Sequence, residues 1–95
     1  MTMTAQHPSL LDTDQEILEL LNEESRQTPS MLLKSVASTD SKQYVQNRLK
    51  HLRDNDLVQR ADRGIYELTT LGERAAGNLD MYREDRGGFW RLLQG

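Results

Sequence analysis

Apolar residues recur at helical spacing in three places before residue 55, and the punctuation between them marks where each helix starts and stops. In "TDQEILELLNEES", Ile17, Leu18, Leu20 and Leu21 form one stripe. Thr13 suits a helix cap, and Glu16 three positions on completes a capping-box pattern, predicting helix 1 over residues 14–25. "QTPSMLLKSVA" restarts with Thr28 as cap and Pro29 at the first helical position, followed by Leu32, Leu33 and Val36. "STDS" breaks that short helix with turn-prone residues. A third helix over residues 41–53 places Val45, Leu49 and Leu52 on one edge, and "DNDL" ends it.

The period then changes. "LVQRADRGIYEL" holds two β-prone runs around Asp62 and Gly64, which predicts a hairpin over residues 57–68. "TTLGERAAGNLDMY" returns to helical spacing, with Thr69 or Thr70 as cap and a stripe of Leu71, Ala75 and Leu79 that Tyr82 extends. Gly72 and Gly77 each weaken an isolated helix by about 1 kcal/mol relative to Ala, so packing must hold this one. After a charged link, Gly87-Gly88 predicts a break, and Phe89, Trp90, Leu92 and Leu93 cluster behind it. The organisation expected is a flexible segment over 1–12, a domain over 13–80 and a tail over 81–95.

A short helix and a longer helix joined by about four turn residues have helix-turn-helix spacing, and the hairpin that follows makes the winged variant. The fold class expected is mainly α with a small β-hairpin: a three-helix core, a two-stranded wing and a C-terminal helix. With Val45 at 0° and 100° per residue, Val45, Leu49 and Leu52 lie within about 40° of the core direction. Gln43, Asn47 and Lys50 lie opposite, with Gln46 at the margin. Amides can bond adenine bidentately, and lysine can bond guanine O6 and N7. Ser41 and Lys42 begin the helix, where backbone amides can meet a phosphate. Tyr44 and Arg48 flank the face and suit phosphates or packing. The plain alternative is that these residues are the wet side of an ordinary amphipathic helix.

Charge narrows that choice. The net charge of −3 is unevenly spread: residues 1–27 carry −5, residues 28–66 carry +3 and residues 67–95 carry −1. No acid falls between Ser41 and Arg53. The positive charge therefore surrounds the two elements expected to meet DNA. Arg63 at the hairpin tip is placed to reach a minor groove, and Arg60 a phosphate; both would otherwise be solvated turn arginines.

The segment "TDQEILELL…TPSMLLKSV…SKQYVQNRLKHLRDNDLVQRADRGIYELTTLGERA" resembles the small winged-helix transcription regulators of haloarchaea, of the phage phi-H repressor type. More distantly it is similar to the MarR-like group. The resemblance covers about residues 13–80 and is most specific in "YVQNRLKHL" and "LVQRADRGIYELTTLGE". It implies sequence-specific DNA binding, usually as a homodimer. On that footing the recognition residues are Ser41, Lys42, Gln43, Tyr44, Gln46 and Asn47, with Arg63 on the wing. Two positions depart from the family pattern. Leu33 stands where a small residue is usual, and Asn47 replaces a frequent arginine, leaving Lys50 and Arg48 to carry charge. An abundance of arginine over lysine, nine to three, fits a salt-loving host.

The remaining features are expectations of a different kind. The acids of helix 1 (Glu16, Glu19, Glu23 and Glu24) suit a solvated face. His7 and His51 are too isolated for a metal site, and no cofactor, nucleophile set or phosphate loop is expected; the chain does not read as an enzyme. With no cysteine, no signal-peptide layout and no apolar run near the about 20 residues of a membrane span, the expected location is the cytoplasm. At 95 residues with 36% apolar residues the core is small, and a partner copy would help. The stripe of Leu71, Ala75, Leu79, Tyr82, Phe89 and Trp90 is the expected dimer interface; the competing reading folds the tail back on its own domain. The competing function is a winged helix that docks proteins without reading DNA.

Overall fold

The computed structural model describes residues 8–94 as six helices and one hairpin: α1 (Asp12–Glu24), α2 (Pro29–Ser35), α3 (Lys42–Asp54), β1 (Val58–Asp62), β2 (Ile65–Leu68), α4 (Thr70–Ala76), α5 (Leu79–Glu84) and α6 (Arg86–Gln94). Expectations for residues 1–7, including flexibility and the isolation of His7, lie outside the described residues. Leu10 is buried and α1 begins at Asp12, so the expected flexible segment does not extend to residue 12.

The helix-turn-helix forms for local reasons. Thr28 Oγ1 accepts from Met31 N–H at 3.1 Å, and Pro29 opens α2 where its missing N–H is harmless. Ser41 Oγ caps α3 by accepting from Tyr44 N–H at 3.1 Å. The far end of α3 closes in a Schellman motif: Leu57 N–H reaches the Leu52 carbonyl, Asp56 N–H reaches Arg53, and Leu52 and Leu57 are both fully buried. Asp56 takes the left-handed position (φ 63°) that such an ending requires.

β1 and β2 pair antiparallel, Val58 opposite Leu68 and Arg60 opposite Tyr66, with a bulge between Arg60 and Asp62. Gly64 turns the tip at φ 69°. The segment ahead of α2 joins this hairpin. Gln27 and Tyr66 exchange both backbone hydrogen bonds, at 3.0 and 2.9 Å, so the wing is tied to the start of the helix-turn-helix.

One core runs through everything. Ile17, Leu18 and Leu21 of α1 meet Leu32, Val36, Val45, Leu49 and Leu52 from the helix-turn-helix, Leu57, Val58 and Leu68 from the hairpin, and Ala75, Leu79, Tyr82, Phe89, Trp90 and Leu93 behind. Leu33 packs at its edge. The mainly helical chain with its two-stranded antiparallel hairpin is a winged helix-turn-helix.

Several expectations need correction. α1 is not capped by Thr13, which lies buried inside its first turn; the Asp14 carboxylate accepts from Leu11 N–H at 2.8 Å instead. The single helix expected after Thr69 is two. Asn78 Nδ2 bonds the Arg74 carbonyl at 2.8 Å at the end of α4, and α5 begins at Leu79. Gly87-Gly88 does not break the chain: both lie in the first turn of α6, where Asp85 Oδ1 accepts from Gly88 N–H at 3.0 Å. The proposed dimer stripe also changes role. Ala75, Leu79, Tyr82, Phe89 and Trp90 are buried in their own chain and Leu71 is half-buried, because α6 turns back over α4 and α5. Tyr82, Phe89 and Trp90 stack edge to face, with centroids 5.2 and 4.9 Å apart. The boundary expected at residue 80 therefore marks no break in packing.

Gly72 is where α4 passes closest to the rest of the fold: a Cβ there would collide with the Leu57 carbonyl. A Cβ at Gly77 would meet only the Glu73 and Arg74 carbonyls, at ordinary distances of 3.5 and 3.8 Å. Gly72→Ala should lower stability by about 1–3 kcal/mol, as overpacking does. Gly77→Ala should leave stability unchanged or raise it slightly, and urea unfolding of the two variants checks the contrast.

Candidate nucleic-acid interface

α3 presents the residues in question. Ser41, Lys42, Gln43, Gln46, Asn47 and Lys50 are exposed, whereas Val45, Leu49 and Leu52 are buried. Gln43 Nε2 donates to Asn47 Oδ1 at 3.0 Å, one turn along the helix. The pair leaves Gln43 Oε1 and the Asn47 amide nitrogen for an outside partner, so the two amides present one joint pattern of donors and acceptors. Lys50 reaches Asp54 at 3.1 Å, but both side chains are well exposed and such a pair contributes little. Lys50 can leave it for a base or phosphate without a large penalty. Ser41 and Lys42 stand at the amino end of α3, whose first amides have no partner within the helix.

The wing stands at the other end of α3. Arg60 and Arg63 are exposed, and neither has an ion-pair partner among the described residues. At the tip, Arg63 N–H donates to Asp62 Oδ1 at 2.7 Å, which shapes the turn and leaves the guanidinium outside. On the opposite face Glu67 is shared by Gln59 (2.8 Å) and Arg26 (3.1 Å). Those two donors hold the Glu67 carboxyl below its ordinary value, the Gln59 bond being the larger cause. The one acid on the wing's strands beyond the tip is thus already matched with partners.

Two flanking residues differ from the exposed set. Arg48 points inward, where Nε and Nη2 donate to Asp14 Oδ1 and Oδ2 at 2.7 and 2.6 Å. Asp14 has no exposed surface and Arg48 keeps 18%. This bidentate bond raises the guanidinium further above its ordinary value against the opposing effect of burial. Arg48 is therefore committed to the interior, the packing role of the two expected for it, and not to a phosphate. Tyr44 is half-buried and lines an open groove with Leu10, Thr13, Ser41, Tyr82 and Arg83. His51 is half-buried too, and its Nε2 is enclosed without a partner among the described residues.

α1 contributes two carboxylates with roles that its sequence pattern does not announce. Glu16, expected on a solvated face, accepts from Ala37 N–H (2.9 Å) and Ser38 N–H (3.1 Å) and bonds the Ser38 hydroxyl. Thr13 Oγ1 meets Ser38 Oγ as well. Two carboxylates of one helical turn thus hold the motif, Glu16 its turn and Asp14 its second helix, α3. The signal for Asp14 was available: counted from Ile17 at 0°, it falls at 60°, inside the apolar stripe of Ile17, Leu18 and Leu21. A carboxylate there needs a buried cation, and Arg48 borders the stripe of α3 on the matching side.

Among the described residues no group of His, Cys, Asp or Glu could hold a metal ion, and no helix is long and apolar enough to cross a membrane.

Partial burial alone would raise the Glu16 carboxyl, but the Ser38 hydroxyl and the Ala37 and Ser38 amides outweigh it and hold the group below its ordinary value of 4.5. A depressed folded-state value stabilises the fold fully above about pH 4.5, and that contribution is lost as pH falls through the lower folded value. Glu16→Gln should therefore flatten the acid side of the stability profile and leave less difference from the wild type at low pH than at neutral pH. Urea unfolding of both chains between pH 3 and pH 7 measures this.

Residues 3–86 match the sequence model of the winged helix-turn-helix phage repressor family. No curated protein and no solved structure gives a significant match.

Proposed function

The chain belongs to the winged helix-turn-helix phage repressor family, and we propose that it is a sequence-specific, double-stranded DNA-binding transcription regulator acting in the cytoplasm as a dimeric repressor. The family supports a DNA-binding regulator. The observation that carries the finer reading is the exposed face of α3: Gln43, Gln46, Asn47 and Lys50 share it with no acid before Asp54 at its end, and the exposed arginines of the wing follow the same helix in the chain. In this reading α3 enters the major groove and the face reads base edges. Ser41 and Lys42 meet the phosphate at its amino end, and Tyr44 packs along the flank. Arg63 reaches the minor groove and Arg60 the backbone.

Dimerisation uses a different surface from the one first expected. With Tyr82, Phe89 and Trp90 in the core, the apolar side chains left outside on the C-terminal helices are Met81 (38% exposed) and Leu92 (45%). A second copy on that side would present two recognition helices to half-sites about one DNA turn apart, 34–36 Å. A dimer occluding a promoter is the simplest route to repression. In a haloarchaeal host the DNA-facing surface would operate at high salt, where its phosphate contacts are weakened.

Selection of bound duplexes from a random pool should return a two-fold symmetric consensus, and a pool that returns none would refute base reading. Affinity for that site should fall with salt at a log–log slope of about −6, for about seven phosphates neutralised. Gln43→Ala and Asn47→Ala should each lower affinity for the consensus by about 1–3 kcal/mol. Because the two amides are bonded to each other, the double variant should lose clearly less than the sum of the two. Arg63→Ala should weaken binding to all sequences alike. Light scattering at tens of micromolar should give the mass of two chains, and Met81→Glu should give one.

A further inference from the structure

A path of hydrogen bonds crosses the molecule from the C-terminal helices to the recognition helix. It begins at the hydroxyl of Tyr82 on α5, a side chain 3% exposed, which accepts from Leu10 N–H at 2.7 Å. The Leu10 carbonyl accepts from Gln15 Nε2 at 2.9 Å, and Gln15 Oε1 accepts from Arg83 Nε at 2.8 Å. One residue on, Leu11 N–H donates to Asp14 Oδ2, and Asp14 holds Arg48 through both carboxylate oxygens. Leu10 and Leu11 precede the first turn of α1 and belong to no helix or strand. These side-chain bonds fasten them to α5 on one side and to the Asp14–Arg48 pair on the other.

Arg48 is adjacent in sequence to Asn47 and lies on the same helix as Gln43 and Gln46, so whatever sets its direction sets theirs. The reading half of α3 offers little else to do so. Between Lys42 and Arg48 one apolar side chain, Val45, is buried; Leu49 and Leu52 lie toward the other end. Apolar contact is non-directional, whereas a bidentate guanidinium–carboxylate pair fixes an angle. A rotation of about 20° moves a side-chain tip 5–6 Å from the helix axis by roughly 2 Å. That exceeds what a bidentate amide–adenine bond tolerates.

We propose that Asp14 and Tyr82 are positioning residues for base reading: the C-terminal helices set the rotation of α3 through Tyr82, Leu10, Leu11, Asp14 and Arg48. This rests on the assignment of α3 as a DNA-reading helix. It makes the α5–α6 unit part of the specificity apparatus although it contributes no residue to the base-facing surface.

The test compares three full-length chains: wild type, Tyr82→Phe, and a double variant Asp14→Leu with Arg48→Met. Tyr82→Phe keeps the ring that stacks on Phe89 and removes only the oxygen that holds Leu10. The double variant removes both charges together, which avoids an unpaired buried ion. Thermal unfolding, affinity for a non-specific duplex, and the affinity ratio between the selected site and single-base mismatches are measured for each. The wild type should discriminate by about tenfold or more at the positions read by the amides. Tyr82→Phe should lose at least about threefold of that ratio, within the range for residues coupled through a network, and the double variant should lose more. Non-specific affinity should hold within about twofold, since no phosphate contact is removed. A merely structural role would lower the unfolding temperature and leave the ratio intact. Wild-type discrimination in either folded variant overturns the proposal, and Tyr82→Phe alone decides it should the double variant not fold. A wild-type chain with no base preference would instead refute the DNA-reading assignment.

Discussion

The carboxylate of Asp14 has no exposed surface, and much of the arrangement follows from the need to satisfy it. A buried charge left unpaired destabilises a fold by about 3–5 kcal/mol, so it must be met by good geometry from several donors. Here the donors are the guanidinium of Arg48 and the amide of Leu11. The first brings α3 against α1 at a defined angle. The second starts α1 where it starts and carries the preceding residues over the C-terminal helices. Apolar packing brings these elements together; the carboxylate specifies how they are turned.

The distribution of charge acquires a structural meaning from this. The surplus of acid in the first third is not simply a wet surface kept away from DNA. Asp14 and Glu16 hold α3 and its preceding turn, while Glu19, Glu23 and Glu24 stay further along α1. The positive middle third is divided in the same way. Arg48 serves the interior, and Lys42, Lys50, Arg60 and Arg63 remain outside. The basic surface is thus smaller than the residue count suggests, and the amides of α3 make up a larger share of it.

Local signals were legible in the sequence wherever one residue and its near neighbours decide the outcome. Thr28-Pro29 and Gly64 marked their cap and turn because each acts within three or four residues. Val45, Leu49 and Leu52 marked the inner face of α3 by spacing alone. What escaped depends on distance in space. Asn78 divides α4 from α5 only because its amide turns back to Arg74, and Gly87-Gly88 starts a helix because Asp85 receives it. The aromatic tail could equally have met a second copy or its own domain, and periodicity is the same in both cases. Arg48 bordered both a core stripe and a polar face, so its partner had to be known before its role could be.

The exchange of hydrogen bonds between Gln27 and Tyr66 has one more consequence. It ties the wing by main-chain bonds to the segment that launches α2, so hairpin and helix-turn-helix stand as the two jaws of one caliper. The gap between its jaws is set by backbone, independently of which side chains α3 displays. Side chains on the outer face of α3 can then be exchanged for others without resetting the distance to the wing. A lineage of such proteins could diversify what each one reads while every member keeps the same footprint on the duplex.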